Sequence, residues 1–186
     1  MEENRFPLIM KSIAGVTTLC AFLLILLYLY LQQGWLLSCA ITFGTTAYHF
    51  VMRLSVGYIV PKITKYRFDY RSAWFQPRSW EAAFYQKLNI RSWKATLPTY
   101  APSQFSLKSN SLHQIIQNMC GAEVVHEVIM VLSFLPLLTV PFFGDWPVFL
   151  ITSILASLYD SIFVMAQRYN RPRLVRLFEK QEAKHS

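Results

Sequence analysis

Apolar positions along this chain gather in long blocks rather than in the short alternating runs of a soluble core. Ile13 to Leu31 contains no charged residue, a second block runs from Trp35 to Val60, a third from Val124 to Phe143, and a fourth from Trp146 to Ala166. At 1.5 Å per helical residue, blocks of this length are matched to a hydrocarbon layer of about 30 Å. The pattern predicts four membrane-spanning helices at residues 13–31, 35–60, 124–143 and 146–166. The links Gln32 to Gly34 and Gly144-Asp145 are short, so spans one and two, and spans three and four, are expected to pair as antiparallel hairpins.

The segment between spans two and three, residues 61–118, has a different texture. Trp80, Phe84 and Leu88 recur at helical spacing, with Ser79 placed to cap and Glu81 in the first turn. This predicts a short amphipathic helix lying along the membrane interface. Pro98 and Pro102 then interrupt the chain, and Leu112, Ile115, Ile116 and Met119 mark a second amphipathic stretch leading into span three. The expected fold is an all-α membrane protein, one integral domain over residues 1–186, with four transmembrane helices and a helical segment between spans two and three.

Composition sharpens this reading. Of 186 residues, 54% are hydrophobic and only 15% charged, far from a soluble balance. The net charge of +8 comes from segments flanking the apolar blocks, which fits anionic lipid and topology rather than nucleic acid. Lys and Arg number two before span one, none in the short links, nine in 61–118 and six after Ala166. The positive-inside rule then predicts a multi-pass protein of the cell membrane with both termini and the 61–118 segment in the cytoplasm, and a basic tail over 167–186. The N-terminal apolar block has no A-x-A cleavage site, so it is expected to be a retained span. Cys20, Cys39 and Cys120 lack CxxC spacing and suggest neither a disulfide framework nor a zinc site.

Ionisable side chains inside apolar segments mark candidate chemistry. His49 stands fourteen residues after Trp35, a rise of about 21 Å, and Arg53 lies one turn further on. Glu123, His126 and Glu127 open span three; Asp160 and the stretch Gln167, Arg168, Tyr169, Asn170 close span four. Antiparallel packing would bring these groups to one depth. Glu123 and His126, three residues apart, are spaced so that a carboxylate orients an imidazole acting as general base. Glu127 and Asp160 read as ordinary helix-end charges. The stretch "MAQRYNRPRL" (Met165 to Leu174) packs Arg168, Arg171 and Arg173 around a Pro172 kink, where they can anchor the helix end and grip phosphates.

Sharper motifs are excluded. "HEVIM" has Met130 where a zinc protease needs its second histidine, a single Glu-x-x-His leaves a di-metal site without its other half, and no G-x-S-x-G elbow occurs. No metal or other cofactor is expected. Direct group transfer suits these residues better than a covalent serine enzyme.

The order "NIRSWKATLP" (Asn89 to Pro98), "AEVVH" (Ala122 to His126) and "QRYNRPRL" (Gln167 to Leu174) resembles the glycosyl-4,4'-diaponeurosporenoate acyltransferases of carotenoid biosynthesis. The likeness covers roughly the C-terminal two thirds, and the family's known member lacks an equivalent of the N-terminal hairpin that carries His49 and Arg53. The resemblance implies a membrane enzyme that esterifies the sugar of a glycosylated lipid or carotenoid with an acyl group from acyl-CoA or an acyl carrier. It implies roles for Asn89, Arg91, Trp93, Lys94, Glu123, His126, Gln167, Arg168, Asn170, Arg171 and Arg173. His126 with Glu123 would be catalytic. Arg168, Arg171, Arg173 and Lys94 would hold donor phosphates, Asn170, Arg91 or the Trp93 indole would stabilise the oxyanion, and His49 and Arg53 would help shape the substrate pocket. A non-catalytic lipid-binding or flippase-like four-helix protein, or a structural subunit of a membrane complex, would explain the spans and the charge bias alone.

Overall fold

A computed structural model describes residues 5–185; Met1 to Asn4 and Ser186, counted in the single domain expected above, lie outside the described residues. The chain is helical, without a strand among the described residues: α1 Phe6–Leu31, α2 Gly34–Thr64, α3 Glu81–Lys87, α4 Ile90–Trp93, α5 Leu112–Leu132, α6 Val140–Phe143 and α7 Trp146–His185. Single turns of 3₁₀-helix occupy Lys94–Thr96, Pro102–Phe105 and Leu135–Thr139. Backbone contacts divide the chain into two compact units, residues 5–58 with Val128–Asp160, and Ile59–Glu127 with residues 161–185.

Among the described residues three helical segments, not four, are long and apolar enough to cross a membrane: Phe6–Leu31, Leu112–Phe143 and Trp146–Lys184. The expected second span is corrected. Its helix forms over Gly34–Thr64, but Gly34, Ser38, Thr42, Gly44, Thr45, Thr46, His49, Arg53, Ser55 and Gly57 dilute its hydropathy. The hydroxyls of Thr42, Thr45, Thr46 and Thr64 donate to carbonyls one turn back, so the helix satisfies much of its own polarity.

In the first unit, α1 ends where Gln32 adopts a left-handed conformation (φ 54°) and its N–H donates to the Tyr28 carbonyl. The other predicted link turns through Gly144 (φ 70°) and Asp145 (φ 40°). Ser38 donates to the Asp145 carboxylate (3.1 Å) and Arg53 to the Asp160 carboxylate, two contacts with the same sequence offset. α2 and the start of α7 therefore run parallel and in step. The Tyr48 hydroxyl donates to the Leu132 carbonyl (2.8 Å).

In the second unit, α5 begins at Leu112, so the predicted amphipathic stretch and the opening of the third span are one helix, which ends at Leu132; the rest of the predicted span is the 3₁₀ turn Leu135–Thr139 and α6. Ile115, Ile116, Met119, Cys120 and Glu123 form its buried stripe. The side-chain amide of Gln117 pairs with both backbone groups of Phe68 (2.7 and 3.0 Å), and Tyr66 lies against Gly121 one turn on. A Cβ on Gly121 would come within 2.9 Å of the Tyr66 ring. In an exposed helix Gly→Ala gains up to about 1 kcal/mol; here crowding reverses the sign, and Gly121→Ala is expected to destabilise by about 1–3 kcal/mol, read as a lowered thermal midpoint in detergent.

Two further expectations change. The interfacial helix α3 has no side-chain cap from Ser79, and Trp80, Phe84 and Leu88 point outward while Glu81 and Tyr85 are buried. An outward apolar stripe is what a lipid-facing helix requires, with polarity turned inward. Nor does Pro172 end α7, which continues to His185. The ring removes one backbone N–H, but side chains on both sides of it are anchored, as described next.

Candidate functional site

The sequence-predicted residues fall into two sets, one in each unit. In the first, the Arg53 guanidinium donates from Nε (3.0 Å) and Nη2 (2.5 Å) to Asp160 Oδ2, and from Nη1 and Nη2 to the carbonyls of His49 and Ala156 (3.1 Å each). Asp160, read above as an ordinary helix-end charge, is 1% exposed. It is the counter-ion of Arg53, and its burial in an apolar helix is what makes a partner necessary. Arg53 is accordingly saturated by protein groups rather than held open toward headgroups. His49 is buried, and both of its ring nitrogens lack a hydrogen-bond partner.

In the second unit, Glu123 is fully buried and binds two arginines: Oε1 accepts from Arg168 Nη1 (2.7 Å) and Oε2 from Arg171 Nη1. Arg168 also donates to Glu81 (2.8 Å from Nε) and to the carbonyls of Trp74 (2.9 Å) and Gln76 (3.0 Å), while Arg171 donates to the Phe75 carbonyl (2.6 Å) and lies over the Phe75 ring. Arg168 and Arg171, 9% and 2% exposed, have donors engaged by carboxylates and carbonyls, and Arg168 also borders the groove described below. Both oxygens of Glu123 are engaged by arginines, so its carboxylate ties α5 to α7. His126 is half-buried and stacks in parallel on Phe163, with ring centroids 4.7 Å apart and planes 9° from each other. The stack fixes the plane of the imidazole. Glu127 accepts from the Trp74 indole (3.0 Å).

Of the remaining motif residues, Asn89, Arg91 and Arg173 border a groove of about 550 Å³. Arg78, Asn89, Arg91, Tyr169, Arg173 and Arg176 line it, with Glu81 and Tyr85 also contributing. Asn89 adopts a left-handed conformation (φ 46°) that turns the chain from α3 into α4 and brings Arg91 to the groove. Lys94 donates to Asn170 Oδ1, and Lys94 and Arg173 both lie over the Tyr169 ring, 4.6 and 5.1 Å from its centroid. Burial, with Arg173 and Arg91 nearby, holds the Lys94 ammonium below the usual lysine range. Burial first, and then the Glu81 carboxylate, pushes the Tyr85 phenol up to about 12 against the opposing pull of Arg168, so at neutral pH it stays protonated. The Trp93 indole donates to the Leu88 carbonyl (2.9 Å), which removes it as an oxyanion donor. Gln167 is half-buried. Among the described residues no group of three or more His, Cys, Asp or Glu side chains is placed to hold a metal ion.

Arg78, Arg176, Glu81 and Tyr85 were not singled out as site residues by sequence. The i, i+4 pair Glu81 and Tyr85 was hidden because the apolar stripe beside it reads as the inward face when solvent is assumed to be water. Compared with known proteins, residues 71–180 match the family model described as glycosyl-4,4'-diaponeurosporenoate acyltransferase. No curated protein and no solved structure matches the chain.

Proposed function

The chain belongs to the glycosyl-4,4'-diaponeurosporenoate acyltransferase family, and on that premise we propose that it is a membrane-bound O-acyltransferase moving a fatty acyl group to a hydroxyl of a glycosylated lipid or carotenoid. The single observation carrying this reading is the family match, which spans α3 to α7 and includes His126 and every residue of the groove. Three apolar helices support membrane association. The bias of basic residues supports a cell-membrane protein with both termini on the cytoplasmic side, where an acyl thioester would arrive.

In this reading His126, its ring plane set by Phe163, takes the proton of the acceptor hydroxyl as that oxygen attacks the thioester carbonyl. The tetrahedral oxyanion collapses, the carbon–sulfur bond breaks, and the imidazolium returns the proton to the departing thiolate, leaving an ester and a free thiol. The Asn170 amide supplies an N–H donor suited to the oxyanion. Glu123 acts one step removed, by holding Arg168 and Arg171 and so the relation of α5 to α7. Gln167, half-buried on α7, completes the surroundings in which the acceptor is held.

His126→Gln keeps bulk and hydrogen-bonding capacity but removes the base. Turnover is expected to fall roughly a hundredfold or more, with abundance near wild type, in an assay of labelled acyl transfer to membrane glycolipid. Wild-type turnover in this variant at equal abundance would remove the histidine mechanism. Absence of transfer by the wild-type protein to any glycosylated acceptor would favour a lipid-binding role.

A further inference from the structure

We propose that the basic groove of the second unit binds the phosphorylated nucleotide end of an acyl donor, so that the donor is an acyl thioester of coenzyme A type. The inference rests on the acyl-transfer reading and names the donor class. Four exposed guanidinium groups, those of Arg78, Arg91, Arg173 and Arg176, converge on one groove from three parts of the chain. The only carboxylate in the lining is Glu81, and Arg168 neutralises it (2.6 Å). Like charges brought together repel, and a polyanion relieves that repulsion while forked arginine donors match phosphate oxygens. The groove, about 550 Å³, is of the size of small-ligand sites and far larger than a single phosphate needs.

A second observation selects among phosphate ligands. Glu81 belongs to the lining of this groove, and its Oε2 is buried with no partner at full hydrogen-bond geometry, the Tyr85 phenol being its neighbour. A buried carboxylate oxygen left unpaired is costly and calls for an N–H or O–H donor. Pyrophosphate brings negative charge but no amine or sugar hydroxyl, and a phosphatidylglycerol headgroup brings hydroxyls but only one phosphate for four arginines. A nucleotide brings both: phosphates for the arginines, and an exocyclic amine and ribose hydroxyl for the carboxylate. Guanidinium planes also stack on a base.

The test uses the purified full-length protein in detergent, with coenzyme A, inorganic pyrophosphate and phosphatidylglycerol vesicles as separate probes. Coenzyme A is expected to bind, and pyrophosphate to bind at least tenfold more weakly. The double variant Arg91→Gln/Arg176→Gln, with both side chains exposed and an unchanged thermal midpoint expected, should bind coenzyme A at least tenfold more weakly than wild type. In acyl transfer, the wild-type preference for an acyl-coenzyme A over the same acyl group on N-acetylcysteamine should fall at least tenfold in the double variant. Equal coenzyme A affinity in wild type and variant would overturn the proposal, as would binding of the vesicles in place of the nucleotide. Acyl transfer by a protein that does not bind coenzyme A would sink the nucleotide site and leave the transferase reading standing. Coenzyme A binding without transfer to any glycosylated acceptor would do the reverse.

Discussion

Replacing Glu123 with alanine is expected to cost about 3–5 kcal/mol of stability, because it strands two buried guanidinium groups at once. The carboxylate is fully buried and each oxygen accepts from a different arginine, so no solvent is at hand to take over either charge. Arg168 retains Glu81 as a counter-ion, whereas Arg171 keeps the Phe75 carbonyl and ring and no other carboxylate. The larger share of the loss should therefore trace to Arg171. Combining Glu123→Ala with Arg171→Met removes the stranded charge and should restore a substantial part of the thermal midpoint measured in detergent. Glu123→Gln preserves shape but halves the acceptor capacity, and should fall between wild type and alanine. Should Glu123→Gln unfold like the wild type while losing acyl transfer, the residue would be acting on the reaction rather than on the fold.

The arginine-rich motif illustrates how far the sequence could be read. Its position at the end of an apolar run pointed to a helix terminus, whereas α7 runs through the motif to His185. The division of labour inside the motif needed helical geometry. At about 100° per residue, Arg171 lies roughly 60° from Arg168 around α7, and Arg173 roughly 140° from it. Arg168 and Arg171 share the face that meets Glu123, and Arg173 turns to the groove. Spacing in sequence treats the three arginines alike, whereas in the fold two of them meet a buried carboxylate. The missing information was the identity of the buried counter-ions, and Glu81 gave no signal because its helix presents its apolar stripe outward. The three apolar segments, the two short links and the helical middle region were legible because length and hydropathy alone set them. α2 was overread for a related reason: its apolar residues are numerous, but glycine and hydroxyl side chains spread among them lower the average that spanning requires.

The pair Arg53 and Asp160 gives the second large expected effect. Asp160 stands in α7, in one of the three segments long and apolar enough to span a membrane, with a 1% exposed side chain. Two nitrogens of Arg53 converge on its Oδ2, while the other Arg53 hydrogen bonds are to backbone carbonyls and its guanidinium lies 5.8 Å from the Tyr159 ring centroid. Carbonyls orient a guanidinium but carry no charge to offset it. Asp160→Ala is thus expected to cost about 3–5 kcal/mol, since it leaves a cation in an apolar setting. Arg53→Met alone leaves the converse, an anion in the same setting, and should also destabilise. The double variant Arg53→Met/Asp160→Ala removes both charges and fills the space of the longer side chain with apolar atoms. It should be more stable than either single variant, with a coupling of at least about 2 kcal/mol in a double-mutant cycle. Thermal unfolding of the purified protein in detergent, with membrane abundance measured alongside, reads all four corners of that cycle. A double variant as unstable as Asp160→Ala would show that the cost comes from a contact of Asp160 other than Arg53. If the pair serves the fold alone, the double variant retains acyl transfer in proportion to its abundance.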